Sequence, residues 1–337
     1  MSETPPPHAR MYELTTGAWV TQAISVAAAL NVADELAAGP RPVDEIAKAV
    51  DADAPTLYRL LRALADIQVF QRLDGRRFGL TPLGELLRAD VPGSMRDWAV
   101  FMGRPFHVQA WADLLRSVRT GAPAFDRVHG REAFNYLAAN PDEGAALDNA
   151  MTAASAQFIA PVVGAYDFSA FGTVVDVGGG HGALLAAVLA ANSEVQGVLY
   201  DQPHVIAGAG RPLDEAGVAD RCEFIGGDFF QSVPPGGDVY LLSNIVHDWD
   251  DERSIKILAN CRAAMNDDAR LLLGEAVLPD GTEPHPATLI DLEMLVMGPG
   301  RQRTQEEYRA LFRLAGLRLT RVVPTHAMFD LVEAAPA

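Results

Sequence analysis

The sequence predicts an α/β fold: a mostly parallel, doubly wound sheet over the C-terminal half, preceded by a helical N-terminal half. Three observations carry that reading. First, Thr173-Val174-Val175-Asp176-Val177 breaks into Gly178-Gly179-Gly180-His181-Gly182 and then an Ala/Leu-rich segment, as a buried parallel strand turning into a helix would. Second, short apolar runs alternate with helical patterns from residue 173 onward, the signature of a wound sheet. Third, three successive strands end in Gly or Asp, at 176–182, 201 and 226–228, which puts polar groups on one edge.

The elements follow in order. Pro5-Pro6-Pro7 sits in a segment, residues 2–8, that reads as a disordered tail. Residues 12–30 form one long apolar helix and 31–36 a short one ending before Gly39-Pro40; residues 43–50 form another. Asp53-Ala54-Pro55 caps a helix over 56–65, with Asp as N-cap and Pro in the first turn. Residues 70–80 alternate across Asp74-Gly75, a hairpin signal. Helix, turn, helix and hairpin make a winged-helix pattern over residues 1–95. Residues 96–165 are all helical and rich in Trp, Phe and Met; some of these are expected to line an apolar pocket for a flat molecule.

The sheet domain spans 166–337. Its strands are expected at 173–177, 197–200, 222–225, 239–243, 270–275, 317–323 and 328–334, the last two as an edge hairpin. Helices are expected at 182–191, near 205–209, at 253–265 and at 304–315.

Composition narrows the function classes. The chain has 337 residues, 49% hydrophobic and 21% charged, with a net charge of −17, which disfavours nucleic acid and anionic membranes as partners. Residues 1–90 carry nine Lys/Arg against twelve Asp/Glu, a net of −3, so the winged-helix pattern lacks the basic face that DNA reading needs. The sequence offers no apolar run long enough to span a bilayer and no signal-peptide pattern. Cys222 and Cys261 form no disulfide framework or metal motif, which suits a reducing, cytoplasmic setting.

The glycine turn allows close approach of a ligand to the backbone at a helix N-terminus, the usual place for an adenosine-type cofactor in an α/β sheet. Gly178, Gly180 and Ala183 also fit a loose dinucleotide fingerprint, so the glycines alone leave a nicotinamide open. Asp201 ends the next strand, where a carboxylate accepts from ribose hydroxyls. Asp228 is placed to accept from an adenine amino group, with Phe229 against the ring. His247 ends the strand 239–246 on the same edge and is the candidate base for deprotonating a hydroxyl. Glu275 ends the adjacent strand and is placed to fix its tautomer.

These motifs, Asp-Val-Gly-Gly-Gly-His-Gly at 176–182, Tyr-Asp-Gln-Pro-His-Val-Ile at 200–206, Gly-Asp-Phe-Phe at 227–230 and His-Asp-Trp-Asp-Asp-Glu at 247–252, occur together in order. In that order and spacing the chain resembles the S-adenosylmethionine-dependent O-methyltransferases, in particular the plant caffeate/flavonoid and actinobacterial antibiotic-tailoring group, over residues 12–333. The resemblance implies a Rossmann-like class I methyltransferase sheet with an N-terminal all-α winged-helix dimerisation domain, a homodimer, and S-adenosylmethionine as cofactor with S-adenosylhomocysteine as product. It implies methylation of a phenolic or enolic hydroxyl on an aromatic or polyketide-type small molecule, with His247 as base and Glu275 in support.

Further roles come by the same route. Ser155, Gly178, Asp201, Asp228, Phe229 and Ser243 are implied to hold the cofactor, Ser243 at a position that is Lys in many plant relatives. Met151, Phe158, Trp249 and Met294 are expected as walls of the acceptor site. One position departs from the family: Gln302 stands where a second Glu is common, so it can hydrogen-bond but supplies no charge, and Asp291 or Glu293 is a candidate to compensate. No metal is expected, since no ligand spacing is present. Three other readings compete: a relative that binds the same cofactor but hydroxylates or decarboxylates, a nicotinamide-dependent dehydrogenase, and a metabolite-sensing winged-helix protein.

Overall fold

The computed structural model describes residues 5–337, and the chain divides into two compact units. One ends at Gln109 and takes in Leu137–Ala154; the other comprises Ala110–Tyr136 and Ser155–Ala337.

In the first unit the helix expected over 12–30 is two helices, Pro7–Thr15 and Gly17–Ala29. The break falls at Thr16 (φ −92°, ψ 3°), where the Thr15 and Thr16 hydroxyls donate back to the carbonyls of Met11, Tyr12 and Glu13. Gly17 follows and removes the side chain that would stiffen the joint. Of the expected tail, residues 2–4 lie outside the described residues, and Pro7 is already helical because proline suits a first turn. Met11, Tyr12, Leu14 and Trp19 on these two helices are exposed, Trp19 at 69%.

Strand β1 (Arg41–Pro42) precedes the helices Val43–Ala49 and Ala54–Asp66; β2 (Phe70–Leu73) and β3 (Arg77–Leu80) then form the hairpin, and the sheet order is β1-β3-β2. Asp53 caps its helix by accepting from the Thr56 N–H. The hairpin reverses through a three-residue loop, Asp74–Arg76, with left-handed backbone at Gly75 (φ 70°), which glycine adopts freely, and at Arg76 (φ 59°). Leu57, Leu61 and Leu64 share one helix face and pack on Val43, Ile46, Phe70 and Phe78. Six helices cover 96–165, the last being Pro141–Ala165. Arg104 ties the start of that helix to the first unit through Glu143 at 2.7 Å.

The second unit holds a seven-stranded sheet. Its strands are β4 (Thr173–Val177), β5 (Gln196–Asp201), β6 (Cys222–Gly226), β7 (Val239–Ser243), β8 (Arg270–Glu275), β9 (Leu317–Val323) and β10 (Asp330–Pro336), in the order β6-β5-β4-β7-β8-β10-β9. The first five run parallel, and β10 lies antiparallel between β8 and β9. Alternate side chains feed two cores. Val174, Leu199, Leu241 and Leu272 meet the helix Ala183–Ala191 on one face. Val175, Tyr240, Leu242 and Leu273 meet the helices Asp251–Ala264 and Gln305–Leu314 on the other. Both faces being covered explains why these strands read as continuous apolar runs. The helix expected near 205–209 is instead Pro203–Ile206, because Pro203 starts it.

Strand order reverses between β4 and β7, so the C-terminal ends of these strands open a crevice at the topological switch point. Leu241 is fully buried at the centre of β7. Leu241→Ala should lower the unfolding free energy by about 3 kcal/mol in chemical denaturation; a loss near zero would contradict this placement of the core.

Candidate active site

The glycine turn leaves the end of β4 with positive φ at Gly178 (72°), Gly180 (57°) and Gly182 (86°). Space also demands glycine here: a Cβ on Gly178 would lie 2.5 Å from Ile245 Cδ1, and one on Gly179 2.6 Å from the Asp176 carboxylate. Gly180, by contrast, faces open space. Asp201, at the end of β5, braces the turn by accepting from the Gly180 N–H at 2.8 Å, while its other oxygen accepts from Gln202 N–H at 2.6 Å. Asp228 accepts from the Phe230 N–H at 2.9 Å, and the Phe229 ring borders Gly178. Beneath the turn Asp176 is buried with Oδ2 unpartnered; burial, then the neighbouring Asp201, pushes its carboxyl up to about 7. A glycine cradle with an open position and a strand-end carboxylate beside it fits a nucleoside with a ribose and a polar tail.

Next along the sheet edge, β7 ends in an irregular turn. Asn244 has φ 57°, unusual for a residue other than glycine, and its buried Oδ1 has no partner. Val246–Asp248 then forms a short 3-10 turn with His247 buried. Glu275 at the end of β8 is completely buried and holds this turn in two ways. Its Oε1 accepts from the backbone N–H of Val246 at 2.9 Å and of His247 at 3.3 Å. Its Oε2 lies 2.7 Å from His247 Nδ1, at ion-pair distance but off ideal hydrogen-bond alignment. Asp248 Oδ1 is 3.4 Å from Nε2. Burial pulls the imidazole pKa down, but the Glu275 and Asp248 carboxylates outweigh it against opposition from Arg303, and hold it at about 9.

The segment 300–303 lies against this turn: a Cβ on Gly300 would overlap the His247 and Asp248 backbone. Gln302 is buried with both amide atoms unpartnered, and its backbone N–H donates to Asp291 at 2.8 Å. Glu293 accepts from the Trp111 indole. The two acids weighed as substitutes for a second glutamate are thus engaged with a backbone and an indole. Arg303, fully buried, donates to the carbonyls of Val246 at 3.0 Å and Trp249 at 2.8 Å and pairs with Asp251 at 2.9 Å. Sequence reasoning gave Arg303 no role; only the fold brings its acceptors to it.

The remaining expected residues are spread more widely. Trp249 stacks on Phe134 (5.4 Å, 23°) and meets Phe230 edge-on (4.8 Å), joining His247's turn to the phenylalanines after β6. Phe158 packs edge-on against Phe329 at 4.2 Å, and Met294 lies half-buried on the helix Ala287–Met297. Ser243 ends β7 beside Gly274, and Ser155 lies half-buried in the helix Pro141–Ala165. Met151 belongs to the first unit. Among the described residues no group of three or more His, Cys, Asp or Glu is placed to hold a metal, both cysteines are free, and no helix is long and apolar enough to cross a membrane.

The His247 geometry makes stability depend on pH. The imidazole pKa rises from 6.5 to about 9 on folding, so its contribution is complete below 6.5 and is lost as pH climbs through 9. Unfolding free energies should therefore fall between pH 6.5 and 9.5, and Glu275→Gln should flatten most of that fall. Equal slopes in the two proteins would show that Glu275 does not hold the proton.

Comparison with known proteins agrees with this architecture. Residues 12–90 match the O-methyltransferase dimerisation domain and residues 111–318 the O-methyltransferase domain. The phenazine O-methyltransferase PhzM of Lysobacter antibioticus is 47% identical, with 97% of this chain and 95% of that protein covered. The phenazine-1-carboxylate N-methyltransferase of Pseudomonas aeruginosa is 34% identical over 97% of each. Among solved structures, LaPhzM superposes with a TM-score of 0.95 at 46% identity, covering 99% of this chain and 100% of that one. CalO1, a methyltransferase in calicheamicin biosynthesis solved with S-adenosylhomocysteine bound, gives 0.85 at 37% identity, covering 98% of each. With matches this long in both units, and with a glycine cradle and a buried histidine–glutamate pair sharing one sheet edge, the chain belongs to the O-methyltransferase family.

Proposed function

We propose that this chain methylates a phenolic or enolic hydroxyl of a flat aromatic or polyketide-type small molecule, using S-adenosylmethionine, with His247 taking the hydroxyl proton. The observation that carries the reading is the contact of His247 Nδ1 with the fully buried Glu275 carboxylate, on the edge that also bears the glycine cradle. Gly178, Asp201, Asp228, Phe229, Ser243 and Ser155 would hold the donor. When bound, the donor supplies a methyl group already activated by its sulfonium, so the protein's task is to bring an oxygen into line and remove its proton.

Glu275 serves that task through both of its oxygens. One fixes the backbone of the turn, and the other keeps a proton on Nδ1 and turns Nε2 toward a reacting hydroxyl. Gln302, buried with a free donor and a free acceptor, would orient the acceptor without adding charge. Half-buried Phe158, Trp249 and Met294 would wall a planar ring. The exposed Tyr12, Leu14 and Trp19 suit burial against a second copy, so the working form would be a homodimer, and the site residues would belong to a cytoplasmic enzyme with no nucleic-acid or membrane partner. The Pseudomonas relative favours an acceptor nitrogen as the second reading.

Purified protein given labelled donor and a panel of phenolic and phenazine acceptors should transfer methyl to oxygen. His247→Ala should lose roughly 10²–10⁴-fold in rate. An unchanged rate in that variant removes the proton-acceptor role, and a label found on nitrogen moves the reading to N-methylation. Because His247 holds its proton up to about 9, the rate should rise with pH from 7 and level off near 9. A profile flat from pH 6 upward would show that some other group takes the proton.

A further inference from the structure

We propose that Arg303 is a positioning residue for His247: its guanidinium clamps the carbonyls on either side of that residue and so sets the imidazole on Glu275. The inference rests on the reading of His247 as proton acceptor.

The geometry is that of a staple. One terminal nitrogen of Arg303 donates to Val246 O at 3.0 Å, one residue before His247. The other donates to Trp249 O at 2.8 Å, two residues after it, and to Ser254 Oγ at 3.2 Å. Asp251 Oδ1 accepts from Nε at 3.2 Å and from the second terminal nitrogen at 2.9 Å, which fixes the plane of the group. A guanidinium can bridge several acceptors at fixed angles, whereas a lysine ammonium offers one point of charge. Arg303 is itself fully buried, and Gly300 lets its segment press directly on the His247 and Asp248 backbone.

From inside the sheet Glu275 grips the same turn through the Val246 and His247 N–H groups. Val246 is thus held at its N–H by Glu275 and at its carbonyl by Arg303, and the ring of the next residue inherits that register. Arg303 also acts through charge. The charged groups beside the ring are Glu275 from β8, Asp248 from the turn itself and Arg303 from the 300–303 segment, and of these Arg303 is the one that opposes protonation, in addition to burial.

Two variants separate the clamp from the charge. Arg303→Lys keeps the cation and loses the bridging; Arg303→Met loses both. Imidazole nitrogen NMR on labelled protein would titrate His247 directly, alongside kcat, donor KM and the pH–rate profile. Both variants should lose at least about tenfold in kcat with donor KM unchanged. In Arg303→Met the His247 titration and the rate profile should move to higher pH, and in Arg303→Lys they should stay. A folded Arg303→Met with wild-type kcat, or a kcat loss in which His247 titrates unchanged in both variants, overturns the proposal. Should Arg303→Met fail to fold, Asp251→Asn loosens the guanidinium from its half-exposed side. That variant should lower kcat several-fold at constant donor KM, and wild-type kcat in it overturns the proposal. The NMR titration does not depend on catalysis, so a His247→Ala protein of undiminished rate would remove the proton-acceptor reading and leave the Arg303 result to be judged on its own.

Discussion

Glu275 carries a carboxylate to the end of a central strand where no solvent reaches it, and the neighbouring structure is arranged around that one charge. A buried carboxylate is tolerated only when hydrogen-bonded and paired. Two backbone N–H groups and an imidazole do this, and all three come from the short turn after β7. The charge thus gathers the turn around itself, and left-handed backbone at Asn244 lets the chain leave the strand abruptly.

The same constraint links sheet to site. β7 and β8 are paired in parallel with Ser243 opposite Gly274, so Glu275 stands one step beyond the paired residues and reaches across to the turn. On the other side of β7, Ile245 closes over Gly178 and ties the histidine turn to the glycine cradle. The aromatic group of Phe229, Phe230 and Trp249 makes a second link between the two regions. The glycine cradle and the histidine turn are thus one packed surface, and a disturbance of either is felt by the other.

Much of this was legible from residue order. Strands β4, β7 and β8 have the bounds that their apolar runs imply, because strands covered on both faces leave uninterrupted hydrophobic patterns. The Asp53 cap and the Asp74-Gly75 reversal were readable because capping and left-handed turns are decided by one or two local side chains. The break at Thr16 was not, since threonines are tolerated within helices and their hydroxyl-to-carbonyl bonds at the joint appear only in the folded turn.

The sequence by itself determined the sheet, its polar edge and the pairing of His247 with Glu275, because strand ends follow from local pattern and adjacent parallel strands bring their ends together. Tertiary structure alone decided how that histidine is held. Arg303 lies more than fifty positions from the turn that it staples, and Asp291 and Glu293 are drawn to Gln302 and Trp111. A charged residue's partners are chosen by what burial leaves within reach, and no local pattern along the chain encodes that distance.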